Sequence, residues 1–355
     1  MKIDGKTSHN SPSLRFPEFT GEWVLNEMWN IAPLQRGFDL PSGNVLDGTI
    51  PVVYSNGILR YHNDYKCKAP AVITGRSGTI GKFTYLDKGY YWPHNTTLWV
   101  TDFCHNNPKF IYYLYQTINI SQFATGSGVP TLNRNDVHRH RCYLPKSIDE
   151  QRKIAAFLSL IDERIAIQDR LIDRLQSLMI GIAQKIAHSN KPNVRISDCL
   201  ECSSSALQES EVNKTGKYPV YGANGIVGYI DKYHTQNEAI YIIKDGSGVG
   251  GVSYVTGKCS STGTLNILQA KNGHSLKYLY YLLKVFNFVP YKTGMAIPHI
   301  YFKDYGKAKI FCPAYPEQLE YAKLLSSIDG NLRIALDSLK NFNLQKQYLL
   351  RHMLI

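Results

Sequence analysis

The chain repeats itself once, at an offset of about 168 residues, so any fold must be built from two copies of one unit. Pro51-Val52-Val53-Tyr54-Ser55-Asn56-Gly57-Ile58 returns as Pro219-Val220-Tyr221-Gly222-Ala223-Asn224-Gly225-Ile226. Ser77-Gly78 returns as Ser247-Gly248, Thr97-Leu98 as Thr264-Leu265, and Tyr112-Tyr113-Leu114 as Tyr280-Tyr281-Leu282. Thr125-Gly126 with Pro130 matches Thr293-Gly294 with Pro298, and Pro145 matches Pro313. Glu150-Gln151 matches Glu317-Gln318, and Ser159-Leu160-Ile161-Asp162 matches Ser326-Ser327-Ile328-Asp329. Any single pair is trivial. So many in order, with the offset drifting only between 167 and 170, identify a duplication, and two such units account for almost all of the 355 residues.

Each unit opens with short β-like runs, such as Ala71-Val72-Ile73-Thr74 and Ala239-Ile240-Tyr241-Ile242-Ile243, punctuated by Gly, Asn and Pro turns. Each closes on a long helical pattern without proline. The first runs Ile154, Leu158, Ile161, Ile165, Gln168, Ile172, Leu175, Met179, Ile182, Ile186, a 4-3 alternation of the coiled-coil kind. The second runs Tyr321, Leu325, Ile328, Leu332, Ala335, Leu339, Phe342, Lys346, Leu349, Met353. An ordinary core-facing helix stops at about 8–20 residues, whereas these stripes persist for about five heptads. With two of them present, each can partner the other. Gln168 is a polar residue within the seam, a kind of position that can fix register. A helix of about 38 residues spans roughly 57 Å. The order domain, helix, domain, helix favours antiparallel pairing with short connections, which would set the two domains at opposite ends of a rod about an approximate two-fold axis.

Composition narrows the function. Hydrophobic residues make up 43 % of the chain, enough for sizeable cores. No apolar run approaches the roughly 18–20 residues of a spanning helix, and the first dozen residues carry no secretory apolar stretch. Seven cysteines, an odd number, argue against a disulfide framework, and a reducing cytosol is the expected setting. Lys+Arg number 40 against 28 Asp+Glu, a formal charge of +12, which favours a polyanionic partner and nucleic acid before a membrane surface.

A two-fold object with two similar basic domains suits duplex DNA, whose half-sites on one face recur about every 34–36 Å. Reading bases requires donors and acceptors on loops, with cations for phosphates. In the first unit the candidates are Asn56, Arg76, Ser77, Lys82, His94, Asn95, Thr131, Asn133 and Arg134. In the second they are Asn224, Lys244, Ser247, Thr262, Lys292, His299 and Lys303. The basic run Arg134, His138, Arg139, His140, Arg141 could track a backbone or be a solvated face. The matched loops share Gly, Ser and Pro but differ at the reaching side chains: Gly246 and Val252 stand where Arg76 and Lys82 do, the pattern of one scaffold reading two sequences.

These features together resemble the specificity subunit of a type I restriction-modification system. The opening Leu14-Arg15-Phe16-Pro17-Glu18-Phe19-Thr20-Gly21-Glu22-Trp23 is similar to that of bacterial members. So are Leu144-Pro145, Glu150-Gln151, Ile154, Leu158, Ile161-Asp162 and the loop Thr125-Gly126-Ser127-Gly128-Val129-Pro130. The resemblance covers nearly the whole chain, with a mild departure at Ala314-Tyr315-Pro316. It implies an α/β (α+β) fold: a tail (1–12), a target-recognition domain (13–147), a long helix (148–189), a second recognition domain (190–314) and a second long helix (315–355). The recognition domains would have twisted mixed sheets. The helices would pair as an antiparallel coiled coil through Ile154, Leu158, Ile161, Ile165, Ile172 and Leu175 on one and Leu325, Ile328, Leu332, Leu339, Phe342 and Leu349 on the other. It further implies a non-catalytic subunit that binds double-stranded DNA at a bipartite target, one domain per half. The helices would set the spacing and dock two modification subunits. Those partners would bring S-adenosylmethionine and methylate adenine. Restriction subunits with ATP and Mg could join for defence against foreign DNA, and no cofactor or metal would sit on this chain.

Rival chemistries lack their motifs. Residues 75–82 approach a phosphate-binding loop, but Gly75 and Gly81 are separated by one residue too many and Phe83 replaces the Ser/Thr that would hold magnesium. A methyltransferase would need an [DNS]-P-P-[YFW] motif, of which Asn106-Asn107-Pro108-Lys109-Phe110 is a near miss. No D…[DE]-x-K arrangement of a nuclease stands out. Cys199-x-x-Cys202 has no second Cys/His pair at zinc-site spacing. The remaining alternative is a coiled-coil interaction scaffold without DNA contact, or an inactive orphan specificity subunit. The scaffold would bind DNA weakly and without salt dependence, whereas a DNA reader loses affinity steeply with salt.

Overall fold

The computed structural model describes residues 11–126, 128–188 and 191–354. Most of the expected tail, and Ser127 in the Thr125–Pro130 loop, lie outside the described residues. The chain divides into two compact units, one made of residues to Ile167 together with Ser338 onward, the other of Gln168–Asp337.

In the first unit a four-stranded antiparallel sheet runs in the order Leu34–Arg36, Thr97–Val100, Ala71–Gly75, Phe83–Leu86. Ala71–Gly75 is buried at every residue, as a central strand covered on both faces must be. A second sheet has the order Gly57–His62, Ile50–Tyr54, Tyr90–Pro93, Cys67–Lys68 and is mixed, because Ile50–Tyr54 pairs parallel with Tyr90–Pro93. The helix Pro108–Thr117 is set by proline in its first turn and by the Asn107 side chain, which accepts from Phe110 N at 2.9 Å. Its Phe110, Tyr113 and Leu114 share one core with Trp23, with Ile154, Leu158 and Ile161 of the helix Ile148–His188, and with Leu349 and Met353 of the helix Tyr315–Met353. The start of one long helix therefore meets the end of the other, which is an antiparallel pairing. Lys346 Nζ adds an ion pair to Asp162 at 2.7 Å.

The second unit repeats the plan. Its antiparallel sheet runs Leu200–Ser204, Leu265–Ala270, Glu238–Ile243, Val252–Thr256, and its mixed sheet Gly225–Ile230, Tyr218–Gly222, Ser260–Ser261. Both hairpins carry a bulge at the same place, between Val52 and Val53 and between Val220 and Tyr221. Ser275 caps the helix Leu276–Val285, accepting from Tyr278 N at 3.3 Å. The long helices are antiparallel here too. Gln168 Nε2 donates to Ala335 O at 2.9 Å, the residue that the repeat matches to it.

The repeated Glu-Gln pair separates into two roles. Gln151 and Gln318 are both buried and do the same thing. Each accepts the backbone N–H of a short-helix cap (Asn107, Ser275) at 2.8 Å and donates to a proline carbonyl (Pro145, Pro313). Glu150 and Glu317 differ. Glu150, 2 % exposed, takes a bidentate pair from Arg15 at 2.7 and 2.8 Å and a bond from Trp23 Nε1 at 3.1 Å, while Glu317 is exposed and accepts from the Tyr321 hydroxyl.

Candidate DNA-reading loops

The loops singled out in the two repeats rest on one hydrogen-bonded scaffold. Arg76 N donates to Thr96 O at 2.7 Å, Leu132 N to Arg76 O at 2.7 Å, and Gly78 N to Pro130 O at 3.3 Å. In the second repeat Lys244 N donates to Thr264 O at 3.0 Å, Ile300 N to Lys244 O at 2.9 Å, and Gly246 N to Pro298 O at 3.0 Å. Bridges Ser77–Thr131 and Asp245–His299 complete the match. Gly78 and Gly246 hold φ of 80° and 94°, left-handed backbone that favours glycine.

For these loop hydrogen bonds the register is 168 residues, and it corrects the pairing made by residue identity. Arg76 does have a basic counterpart, Lys244, not Gly246. Strand partners make Lys82, just before Phe83–Leu86, equivalent to Gly251 rather than Val252, and Leu98 equivalent to Asn266. Identity matching slides in loops rich in Ser and Gly, where several alignments score alike. Hydrogen bonds do not slide.

In the first repeat, Arg76 is half-buried, and its Nε donates to Asn95 O at 3.2 Å, so the base of the guanidinium is fixed by the fold. Asn56 is exposed in the hairpin turn and its carbonyl accepts from the exposed Lys82 Nζ at 2.8 Å. His94 packs its ring 4.3 Å from Tyr54 and sits 3.0 Å from Thr96 Oγ1, and burial pushes its pKa down, keeping it neutral. Asn95 bonds Asp39, which also meets Arg36 at 3.3 Å. Ser77 and Thr131 are half-buried in the isolated bridge that they form. Asn133 is spent as a helix cap, accepting from Asn135 N at 3.0 Å. Arg134 projects exposed from that helix.

The basic run splits. Arg139 and Arg141 are exposed, with Arg139 paired to Asp136. His138 turns inward, 6 % exposed, and its Nε2 accepts Leu34 N at 2.8 Å. Burial first, and then Arg134, push its pKa down.

In the second repeat, Asn224 and Ser247 are exposed in turns, Lys292 is exposed on its loop, and Lys303 is exposed on the short helix Phe302–Tyr305. Lys303 Nζ lies 5.2 Å from the Tyr301 ring. Lys244 Nζ reaches Ser204 Oγ at 3.4 Å. His299 Nδ1 lies 2.6 Å from Asp245 Oδ1. Thr262 is only 3 % exposed and shares its hydroxyl hydrogen bond with Thr264, so it braces the turn and has no path to a ligand. Asp39 and Asp245, which orient Asn95 and His299, are absent from the sequence-based set. Asp245 lies beside a chosen lysine, but nothing local signals its partner 54 residues on.

Of the helix-pairing residues, Ile154, Leu158, Ile161, Ile172, Leu325, Ile328, Leu332 and Leu349 are buried, and Ile165, Leu175, Leu339 and Phe342 are half-buried. Among the described residues no helix is long and apolar enough to cross a membrane.

A fold of two mixed-sheet repeats, each followed by a long helix and carrying basic, glycine-hinged loops, is that of a DNA specificity protein. The family model described as the type I restriction modification DNA specificity domain matches twice, over residues 27–177 and 189–341. The chain belongs to this family and is a DNA specificity subunit of a type I system, not an enzyme in its own right. Among curated relatives, a putative type I specificity subunit of Mycoplasma pneumoniae is 25 % identical over 260 residues, covering 65 % of this chain and 69 % of that one. One of Mycoplasma genitalium is 25 % identical over 261 residues, covering 64 % and 67 %. The crystal structure of the type I system S subunit from M. genitalium superposes with a TM-score of 0.72 at 18 % identity, over 97 % of this chain and 99 % of that one. A chain from a structure of type I system assembly and conformational transition gives 0.53 at 14 %, over 92 % and 96 %.

Proposed function

We propose that each repeat reads one half of a bipartite DNA target, with Arg76 and Lys244 as the paired cations at the centre of the two reading loops. The observation that carries this is the single hydrogen-bonded scaffold that recurs at 168 residues while bearing different side chains. Thr131 is replaced by His299, Asn95 by Gly263 and Arg134 by Phe302 at matched positions. A fixed frame with changed donors and acceptors is what reading two different sequences requires. Asn56, Ser77, Lys82, Asn95, Thr131 and Arg134 complete the first reading set. Asn224, Ser247, Lys292, His299 and Lys303 complete the second. His94, Asn133 and Thr262 support their loops instead.

The long helices set the spacer and dock two modification subunits, which supply S-adenosylmethionine and methylate adenine. Restriction subunits with ATP and Mg act on the same assembly, and the complex works on DNA in the cytoplasm. Adenine-methylation mapping in a host that carries a cognate modification subunit, with and without this chain, tests the reading. A two-part motif present only with the chain is the expected result. A formed complex that methylates no such motif would overturn it.

A further inference from the structure

The second repeat gathers three metal-ligating side chains at a place where the first has none. Cys199 ends the short helix Ile196–Cys199, His274 precedes the cap of the helix Leu276–Val285, and Cys312 follows the strand Lys309–Ile310. Two thiols and one imidazole nitrogen all lie within 4.8 Å of one another. Cys199 and Cys312 are 0 % and 8 % exposed. His274 Nδ1 is buried and has no hydrogen-bond partner among the described residues, a costly state for an imidazole nitrogen unless something else occupies it.

The backbone holds each ligand without help from the thiols. Cys312 N and O are both bonded by the Asn193 amide, each at 2.8 Å. Lys271 N donates to Cys199 O at 2.9 Å and His274 N to Lys271 O at 3.2 Å, so the turn bearing the imidazole hangs from the residue bearing a thiol.

The first repeat serves as an internal control. Its strand pair Asn26–Cys142 corresponds to Val194–Ile310 and its helix cap Asn107 to Ser275, which gives Ile31, Asn106 and Leu144 as the counterparts of Cys199, His274 and Cys312. Ile31 and Leu144 are buried core residues, and Asn106 Nδ2 donates to Ile31 O at 3.1 Å. The fold therefore closes here with two aliphatics and an amide. It needs no sulfur or imidazole, yet all three positions differ together in the second repeat.

We propose that Cys199, His274 and Cys312 bind a thiophilic d10 cation of the zinc class, with water or another exogenous donor as the fourth ligand. Two thiolates and an imidazole are the donors such an ion prefers. Its bond lengths put tetrahedral donors about 3.5–3.8 Å apart, so the cluster has to contract by only about 1 Å. The ion ties together a helix end, a turn and a strand end that are distant in sequence, and its role is structural. The Cys199-x-x-Cys202 spacing points the wrong way, because Cys202 lies on the following strand, Leu200–Ser204, and outside the cluster.

The test uses the full chain, purified without a metal-binding tag, loaded with zinc sulfate and desalted. The expected result is one retained zinc per chain and, with cobalt substituted, a thiolate-to-metal charge-transfer band. The variant Cys199→Ile/His274→Asn/Cys312→Leu, which installs the first repeat's own residues, should fold and lose both signals. A chelator should lower the Tm of the parent and leave that of the variant unchanged. No retained zinc, a Cys199–Cys312 disulfide found by mass spectrometry, or equal zinc on the variant would each overturn the proposal.

Discussion

Arg76 and Lys244 occupy one backbone position in two copies of a loop, and this makes each the control for the other. Arg76 is anchored through Nε alone among the described residues, and Lys244 through its ammonium to Ser204. Neither supports a core. Arg76→Ala should therefore leave the fold intact and weaken or relax reading of one half-site by about 1–3 kcal/mol. Lys244→Ala should do the same at the other half. Methylation of target libraries by a reconstituted complex would show it, and the idea fails if both variants affect the same half. His138 bears on stability instead. Its folded pKa lies below the ordinary 6.5, so above that pH both folded and unfolded chains hold it neutral. Below it, the unfolded chain takes up a proton that the folded chain refuses, and stability falls with pH. In His138→Gln, the new amide oxygen can still accept Leu34 N. Denaturant unfolding on either side of pH 6.5 should show a shallower loss for that variant than for the parent.

Among the elements, the long helices show how far a stripe of residues can be trusted. Leu325 is 0 % exposed, whereas Leu175, on the same kind of seam position, is half-buried. A glutamate at Leu325 has no water to reach and should cost about 3 kcal/mol or more in thermal or denaturant unfolding. A glutamate at Leu175 can extend its carboxylate to solvent and should cost about 1 kcal/mol. Equal costs would mean that the seam is not packed as described. Glu150 and Glu317 offer a second contrast from one sequence motif. Glu150→Ala strands Arg15 and Trp23 Nε1 and should cost about 3–5 kcal/mol, since it breaks a buried pair. Glu317→Ala should stay within about 0.5 kcal/mol. Periodicity makes the helices legible because burial recurs every three or four residues along one strip of chain. The repeat is legible for a similar reason, since turn glycines and prolines survive wherever the backbone demands them. The roles of the paired glutamates are not legible, because Arg15 arrives from 135 residues away. The buried state of Thr262 and the Cys199–His274–Cys312 cluster are hidden for the same reason. Even the loop register needs hydrogen bonds to fix it.

For the whole molecule, the duplication carries a consequence that no single residue does. The two repeats build their reading loops from separate stretches of chain on equivalent frames, so specificity should be exchangeable one half at a time. A net charge of +12 supplies affinity that any DNA can share, and that part should fall steeply with salt as counterions are released. On the proposed reading, the part that distinguishes sequences resides in the loops between residues 50 and 134 and between 218 and 303. Replacing residues 13–143 with the matching segment of a relative should leave the +12 chain's general attraction to DNA largely in place and alter one half of the methylated motif. The unaltered half should then be the one that Lys244→Ala weakens, which ties the exchange to the residue-level test. Methylation mapping of the exchanged subunit decides it: a change in both halves would mean that the reading loops do not act as independent modules.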